Sequence, residues 1–596
     1  MVEGRESKSI EHESPFSWGR YLFDNKYRLI IPSRLATIAI MTETASTLYF
    51  YNHIKHVAVT VTKFILPWLP WILIGFFTIQ YVRLGITNEV HLRNGLDLGT
   101  YTQILYNINN GNIPPYNTLK GQVAWGDHAH FIMLLLAPIF ALWQDPRMLI
   151  MMQTIAITTA GWALYKIAQD KIKNILFSLS ILFSYLLFFG VQYALNFDFH
   201  ANVLTAAILA WSFYAWYFKK HVLFWFTVIL GLLSREDAAL FYVMFAVYVI
   251  LFETGALKKH ALLAYSKIKN VVFAKRKNVG SDVPVRPRVG IKLKKFVFHP
   301  FNKISTPAFI LIIISVIYFF AVTYVIMPKW TPGGGALTYF DAAGSNKGPL
   351  HLALWFVSHP ISLAKDLLAT HANRNTFRHL LQSFGYLPLL SPVAYLMAAP
   401  NLVARFLSPE YQRHLLDFHY NASLSSILCY STILGAANIL RLLKRFTSNI
   451  YIKFFVVILI CAGLLTGTYY SSWKDSDLPL HQLGRPEFTD VRYQPRLAAG
   501  ALDIVKEMIP KNKSISAASG LVPQLSTRQY IYNFPEPLPK QAQWVVLSEQ
   551  FSTWPLHKGE MIEYIDKFKE DKAYEMVYSE YGIYAFKKIN NKPLGQ

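Results

Sequence analysis

Three short polar segments interrupt otherwise apolar sequence, and each carries groups that can do chemistry. Asp97 lies in Asn94-Gly95-Leu96-Asp97-Leu98-Gly99, Asp198 and His200 lie in Asn196-Phe197-Asp198-Phe199-His200, and Arg235-Glu236-Asp237 joins two apolar runs directly. Carboxylates beside a membrane are costly unless they are paired, hydrated or used. If the three segments converge, they form an acidic, histidine-containing pocket. Such a pocket suits a divalent cation held by hard oxygens, or a carboxylate general base beside a phosphate-bearing substrate. Asp127, His128 and His130 are further candidate ligands, and His414, Asp417, His419 and Tyr420 form a second polar cluster.

Each candidate also has a plainer role. Asp198 and Asp97 stand near helix starts and could serve as N-caps. Arg235-Glu236-Asp237 could be a local ion pair. The other two clusters could be a hydrated rim and a solvated loop. Two sequons, Asn421-Ala-Ser and Asn512-Lys-Ser, are too common by chance to decide anything.

The elements that must position these groups follow from composition and length. Of the 596 residues 53% are hydrophobic, 16% charged and 15% aromatic, outside the range of ordinary soluble domains. The net charge of +23 is spread over short basic segments between apolar runs, a pattern of topology determinants rather than of a nucleic-acid interface, so no nucleic-acid partner is expected. Cys429 and Cys461 both lie in apolar runs, which excludes a disulfide framework and a paired-cysteine metal site. The first 25 residues are polar and charged, so the first span is expected to act as its own insertion signal.

A helix needs ~20 apolar residues to cross the hydrocarbon core. That ruler predicts a cytoplasmic or interfacial segment over residues 1–58, a multi-span region over 59–470 and a water-exposed domain over 471–596. The first span is expected from Val59 to Val82, delivering an outer loop at 83–130. The run 131–143 has 13 residues and reads as re-entrant or interfacial, ending at Gln144-Asp145-Pro146. Further spans are expected at 147–165, 174–193, 201–218, 221–233, 238–254, 308–327, 424–440 and 454–470, with a broken hairpin at 379–407 around Pro388 and Ser391-Pro392. Alternating them places the segment 255–306, with 13 Lys and Arg against Asp282 alone, on the cytoplasmic side. The N-terminus is then cytoplasmic, while the acidic segments and the C-terminal domain share the outer face of a plasma-membrane protein. After Ser471 the pattern changes to helix 497–508, short strands near 514–518, 530–532 and 544–547, a helix near 561–568 and strands at 574–578 and 583–587. That alternation predicts a small α/β domain.

Several segments in order carry a family resemblance: Asp97-Leu98-Gly99 with Gln103 and Asn107-Ile108-Asn109-Asn110-Gly111; His130 before Leu134-Leu135-Leu136-Ala137-Pro138; Phe197 to His200; Arg235 to Ala239; Pro388 to Pro392; Asp417-Phe418-His419-Tyr420; and Pro523 to Arg528. Together they resemble predicted membrane proteins of domain of unknown function 2079, over about residues 80 to 590. That family is similar in layout to GT-C glycosyltransferases, which transfer sugars from polyprenyl-phosphate donors at the outer face of a membrane. The resemblance implies a polytopic α-helical membrane protein of about 10 to 12 membrane segments with a small C-terminal α/β domain. It implies Asp97 as catalytic base or metal ligand, with Asp198, His200, Glu236, Asp237, His419 and Tyr420 binding substrate and Arg235 contacting phosphate. A cation such as Mg or Mn would fall to Asp97, Asp198 and Glu236. The first loop lacks the paired acids found in many GT-C enzymes, so a lone base is an equal alternative. The implied partners are the lipid bilayer, a polyprenyl-phosphate-linked sugar and an acceptor that the sequence does not identify. A transporter or flippase, or an envelope assembly scaffold, are the competing readings.

Overall fold

The computed structural model describes residues 65–254, 305–331, 358–482, 497–536 and 542–589. The expected segment 1–58 and nearly all of the basic segment 255–306 lie outside the described residues. The chain divides into two compact units, residues 1–69 and 70–596, and of the first only 65–69 are described.

Helix α1 spans Leu69–Val90, so the expected first span is shifted toward the C-terminus and the polar loop begins after Val90 rather than at Arg83. Helix α2 (Leu96–Asn109) carries Asp97 in its first turn, and a two-stranded ribbon follows, β1 (Tyr116–Asn117) against β2 (Gln122–Val123). Helix α3 (Met133–Phe140) has eight residues and rises about 12 Å, too short to cross a membrane. Asp145 then caps α4 (Pro146–Ile172), accepting the Arg147 amide at 2.9 Å. The expected span at 174–193 is two helices, α5 (Ile175–Leu186) and α6 (Phe189–Asn196). Three apolar helices follow: α7 (Ala201–Tyr217), α8 (His221–Ser234) and α9 (Ala238–Tyr248), the last continuing as a π turn to Glu253.

Helix α10 (Ser305–Ala321) continues through a π turn, Val322–Ile326, into Met327–Trp330. Helices α11 (Pro360–Leu367) and α12 (His371–Gln382) precede a 3-10 turn at Leu387–Leu390, and α13 (Pro392–Phe406) completes the expected broken hairpin. Helices α14 (Ala422–Leu443) and α15 (Ile450–Thr468) end the helical region.

Six stretches among the described residues have the length and apolarity to cross a membrane unaided: α1, α4, α5 with α6, α10 with its continuation, α14, and α15 extended to Trp473. The other apolar helices are shorter. Helix α7 is almost wholly buried, with α4, α8 and α14 around it. Side chains there satisfy polar groups that have no water to turn to: Ser426 Oγ donates to the Ala206 carbonyl at 2.6 Å, and Tyr185 Oη donates to that of Ile157 at 3.0 Å.

The C-terminal domain is a five-stranded sheet, β3 (Ile515–Ala517), β4 (Ile531–Asn533), β5 (Trp544–Leu547), β6 (Tyr574–Glu580) and β7 (Ile583–Lys588), in the order β4-β3-β5-β7-β6. β3 runs parallel to β4 and β5, whereas β7 is antiparallel to β5 and β6. Helices α16 (Leu497–Met508) and α17 (Lys558–Glu570) contribute Leu502, Val505, Met561 and Ile565 to its core. Leu92, just beyond α1, is buried in that same core, and Leu96 and Leu119 pack against it. Gln103 Nε2 donates to the Gln529 carbonyl at 2.8 Å, and the Thr118 hydroxyl bonds both backbone groups of Ile531. The α/β domain is therefore built partly on the loop that holds Asp97.

Gly99 marks the tightest approach of this docking, since a Cβ there would lie 2.5 Å from Val522 Cγ1 and 2.8 Å from Ser526 Oγ. Gly99→Val is expected to cost about 1–3 kcal/mol by overpacking. Gly500→Ala, in α16 where nothing lies within 4 Å of the added carbon, is expected to be neutral or stabilising by up to ~1 kcal/mol. Thermal unfolding of the two variants beside the wild type checks this, and equal melting points for Gly99→Val and wild type would refute the close docking.

Candidate functional site

The ends of α8 and α13, the starts of α2, α7, α9 and α14, and α10 with its continuation line a cavity of about 330 Å³. Asp97, His200, Arg235, Glu236, Asp237, His419 and Tyr420 all line it, although more than 300 residues separate the first from the last. Asp127, His128 and His130 line it too, whereas His414 and Asp417 are not among its lining residues.

Asp97 does not cap its own helix, whose N-cap position is Gly95. Its Oδ2 lies 3.3 Å from His200 Nε2, and its side chain is 34% exposed. Burial pushes the Asp97 carboxyl up, but the His200 hydrogen bond and charge, with Lys120 and His128, outweigh burial and hold it at about 2. The other ring nitrogen of His200, Nδ1, lies 3.1 Å from the Asp198 carbonyl oxygen. Both ring nitrogens thus face acceptors, which fixes the ring plane. His419 stacks on that ring with 3.5 Å between centroids and 18° between planes.

Asp198 is placed differently from the expectation. It is 1% exposed and does not line the cavity. Its carboxylate accepts the Gly95 amide at 2.9 Å and the Leu98 amide at 3.1 Å, with Asn94 Nδ2 at 3.2 Å. It is an N-cap, but of α2, a helix 100 residues earlier in the chain, where Gly95 itself offers no side chain. Burial and the nearby Asp97 charge push its carboxyl up, and the two amides counter them in part. The role expected for Asp198 in binding substrate or metal is therefore replaced by a structural one, because its acceptor sites are turned to backbone.

Arg235-Glu236-Asp237 is an ion-paired turn. Arg235 Nε lies 3.6 Å from Glu236 Oε1 and 3.3 Å from Asp237 Oδ1. Glu236 also bonds His128 Nδ1 at 2.8 Å and accepts the Ala129 amide at 3.1 Å. Burial favours a neutral Glu236, but His128 and Arg235 prevail and keep it ionised. Burial leaves Asp237 raised despite Arg235. The phosphate contact expected of Arg235 is thus weakened by two carboxylates within its own turn.

Of the three carboxylates expected to share a cation, Asp198 faces backbone amides and Glu236 is bonded to His128 and the Ala129 amide, which leaves Asp97 as the only one of the three that accepts no backbone amide among the described residues. Among the described residues no group of three or more His, Cys, Asp or Glu side chains is arranged to hold a metal ion. The residues present do not fit the Asp97, Asp198 and Glu236 metal set.

Three cationic lining residues escaped the sequence reading, Lys120, Arg405 and Arg413. Arg405 sits in the last turn of α13, 4% exposed. Its signal was available: a single cation in a 15-residue helix otherwise free of charge. The remaining wall is apolar. Leu240 and Phe241 of α9, Phe319 and Met327 from α10 and its continuation, and Pro400 and Ala404 of α13 face the same space. Asn421, the residue of the first sequon, is fully buried and hydrogen-bonded to Arg405, which removes it as a glycan acceptor in the folded chain.

A sequence family described as predicted membrane protein (DUF2079) matches residues 90–584. No curated protein matches the chain in sequence. Among solved structures, ArnT from Cupriavidus metallidurans bound to undecaprenyl phosphate aligns at 10% identity over 87% of this chain and 97% of that one, with a TM-score of 0.40. The same protein in the apo state aligns at 10% identity over the same shares, with a TM-score of 0.38.

The cap supplied by Asp198 leads to a stability prediction. Asp198→Ala leaves two buried amides without an acceptor and is expected to cost about 1–3 kcal/mol. Asp97→Asn, at a half-open site with no amide to satisfy, is expected to change stability by under ~1 kcal/mol. Melting temperatures of the two variants check the contrast; the opposite ranking would refute the capping role.

Proposed function

The chain belongs to the DUF2079 family of predicted membrane proteins, and on that premise we propose that it is a membrane glycosyltransferase of GT-C type, moving a sugar from a polyprenyl-phosphate donor to an acceptor on the outer membrane face. The observation that carries this reading is the composition of the cavity. An ionised carboxylate held by a histidine, a separate cationic wall, and an apolar wall made by membrane-crossing and neighbouring helices all face the same 330 Å³. A water-soluble donor needs no wall of Phe319, Met327 and Leu240, whereas an amphiphile with a charged head does. The ionisable groups sit at helix junctions rather than at mid-span depth, which favours chemistry at one face over a transport path.

In this reading Asp97 is the catalytic base. The acceptor hydroxyl bonds to the anomeric carbon of the donor as its proton passes to Asp97. The bond from that carbon to the phosphate oxygen breaks, the electron pair leaves with the lipid phosphate, and configuration inverts. With its carboxyl near 2, Asp97 is ionised at neutral pH and accepts the proton only as the hydroxyl becomes acidic on bonding to carbon. His200 is a positioning residue. It holds the Asp97 carboxylate and is itself anchored by the Asp198 carbonyl, so the capping residue and the base are linked through one ring.

Membranes containing Asp97→Asn are expected to transfer labelled sugar from polyprenyl-phosphate donors at least about 100-fold more slowly than wild type. Full transfer by that variant would remove Asp97 as base, and no transfer by the wild type with any such donor would end the proposal. A pH profile adds a separate check. Removing the His200 contact in His200→Gln leaves burial less opposed, so the Asp97 carboxyl rises and the loss of rate on the acid side starts at higher pH than in wild type. An unshifted acid limb would show that His200 does not tune Asp97.

A further inference from the structure

We infer that the wall formed by the end of α13 and the loop after it is a binding subsite for a phosphate monoester anion, with Arg405 and Arg413 as its cations and Tyr420 and His419 beside them. This deepens the function proposed above by naming where a charged head would sit, but the anion site itself stands on the charge distribution and on one unsatisfied buried nitrogen.

Arg405 is a buried guanidinium with no carboxylate partner among the described residues. Its Nε donates to the Arg413 carbonyl at 2.9 Å, Nη1 to Asn421 Oδ1 at 2.7 Å and Nη2 to the Leu415 carbonyl at 3.1 Å. Its Cζ lies 5.6 Å from the centroid of the Tyr420 ring. These acceptors fix its geometry and leave its charge uncompensated, which is costly in a water-poor wall. Arg235 shows the contrast, since two carboxylates in its own turn balance it.

Arg413 lines the same wall, with its Cζ 5.9 Å from the Tyr420 ring. It pairs with Glu410 at 2.7 Å, but that carboxylate is 52% exposed and its pull is screened by solvent. A second observation points the same way. His419 is 8% exposed, and its Nδ1 is buried with no hydrogen-bond partner among the described residues. That nitrogen and the two guanidinium groups offer what a phosphate needs, two cations and an unsatisfied polar group in one recess. The acidic residues of the cavity belong to other elements: Asp97 to α2, Asp127 to the turn after β2, and Glu236 and Asp237 to the α8–α9 turn. Lys120 and Arg235 stand among those acids, whereas the α13 wall carries its cations with no lining acid beside them, so the net pull on an anion is toward that wall.

The test uses the full chain in detergent and three probes: farnesyl phosphate, inorganic phosphate and farnesol. Wild type is expected to bind farnesyl phosphate, and Arg413→Gln and Arg405→Met are expected to weaken that binding about tenfold or more. Lys120→Gln, which removes the same unit of charge from another part of the cavity, is expected to weaken it less. Because Arg405 also holds the loop, its variant counts only if its melting point without ligand matches wild type; Arg413→Gln, at a more open position, tests the subsite independently. Farnesyl phosphate binding well above inorganic phosphate supports a lipid headgroup as the occupant, and equal affinities support free phosphate. Farnesol binding as tightly as farnesyl phosphate, or unchanged affinity in Arg413→Gln, would overturn the subsite. Arginine-dependent binding without any sugar transfer by wild type would leave the subsite standing and end the transferase reading alone.

Discussion

The carboxylate of Asp198 holds the site together. It accepts the amides of Gly95 and Leu98 and so ties the α6–α7 junction to the first turn of α2. Two hydrogen bonds to a buried carboxylate are worth a few kcal/mol at most, yet their geometry decides more than stability. They set where α2 begins and therefore where Asp97 points. The carbonyl of the same residue accepts from, or faces, His200 Nδ1, whose other nitrogen reaches Asp97. One residue thus aligns both members of the acid and imidazole pair from behind, while itself staying out of the cavity.

The other side of α2 is held by the C-terminal domain. Leu92 is buried in that domain's core, Gly99 lets Val522 and Ser526 close on the helix, and Thr118 bonds the backbone of Ile531 in β4. A domain that completes its core with a residue from the loop leading to Asp97 cannot move without moving that loop. This argues against an independent appendage. The domain and the helix junctions are two halves of a clamp around a 14-residue helix that is too short to hold its own position.

Within the cavity, charge is unevenly divided. The lining acids come from α2, the turn after β2 and the α8–α9 turn, with Lys120 and Arg235 among them, whereas Arg405 of α13 has no carboxylate partner among the described residues. Such separation costs energy in a site of low polarity unless a ligand supplies the missing charge. It is the same physical condition that makes enzyme sites electrostatically prepared, with dipoles and charges fixed before the reaction begins.

Much of this was legible in the chain. Apolar runs of adequate length, the breaks at Pro388 and Pro392, and the helix and strand periods after Leu497 each depend on local composition, and the elements formed close to where those patterns placed them. Asp97, His200 and the Arg235 turn stood out because charge beside apolar sequence needs a reason. The sequence could not separate Asp97 from Asp198. Both are acids near a helix start, and only the tertiary structure shows that one faces a cavity and the other faces amides from a distant segment. The local ion pair of Arg235 was legible, since its carboxylates are the next two residues, but the sequence could not show that Arg405 meets no carboxylate among the described residues, because that depends on which distant groups fold to within a few ångströms. Local pattern determines where a helix lies and which residues are costly; long-range packing decides which of those costs is met by the protein and which is left for a ligand.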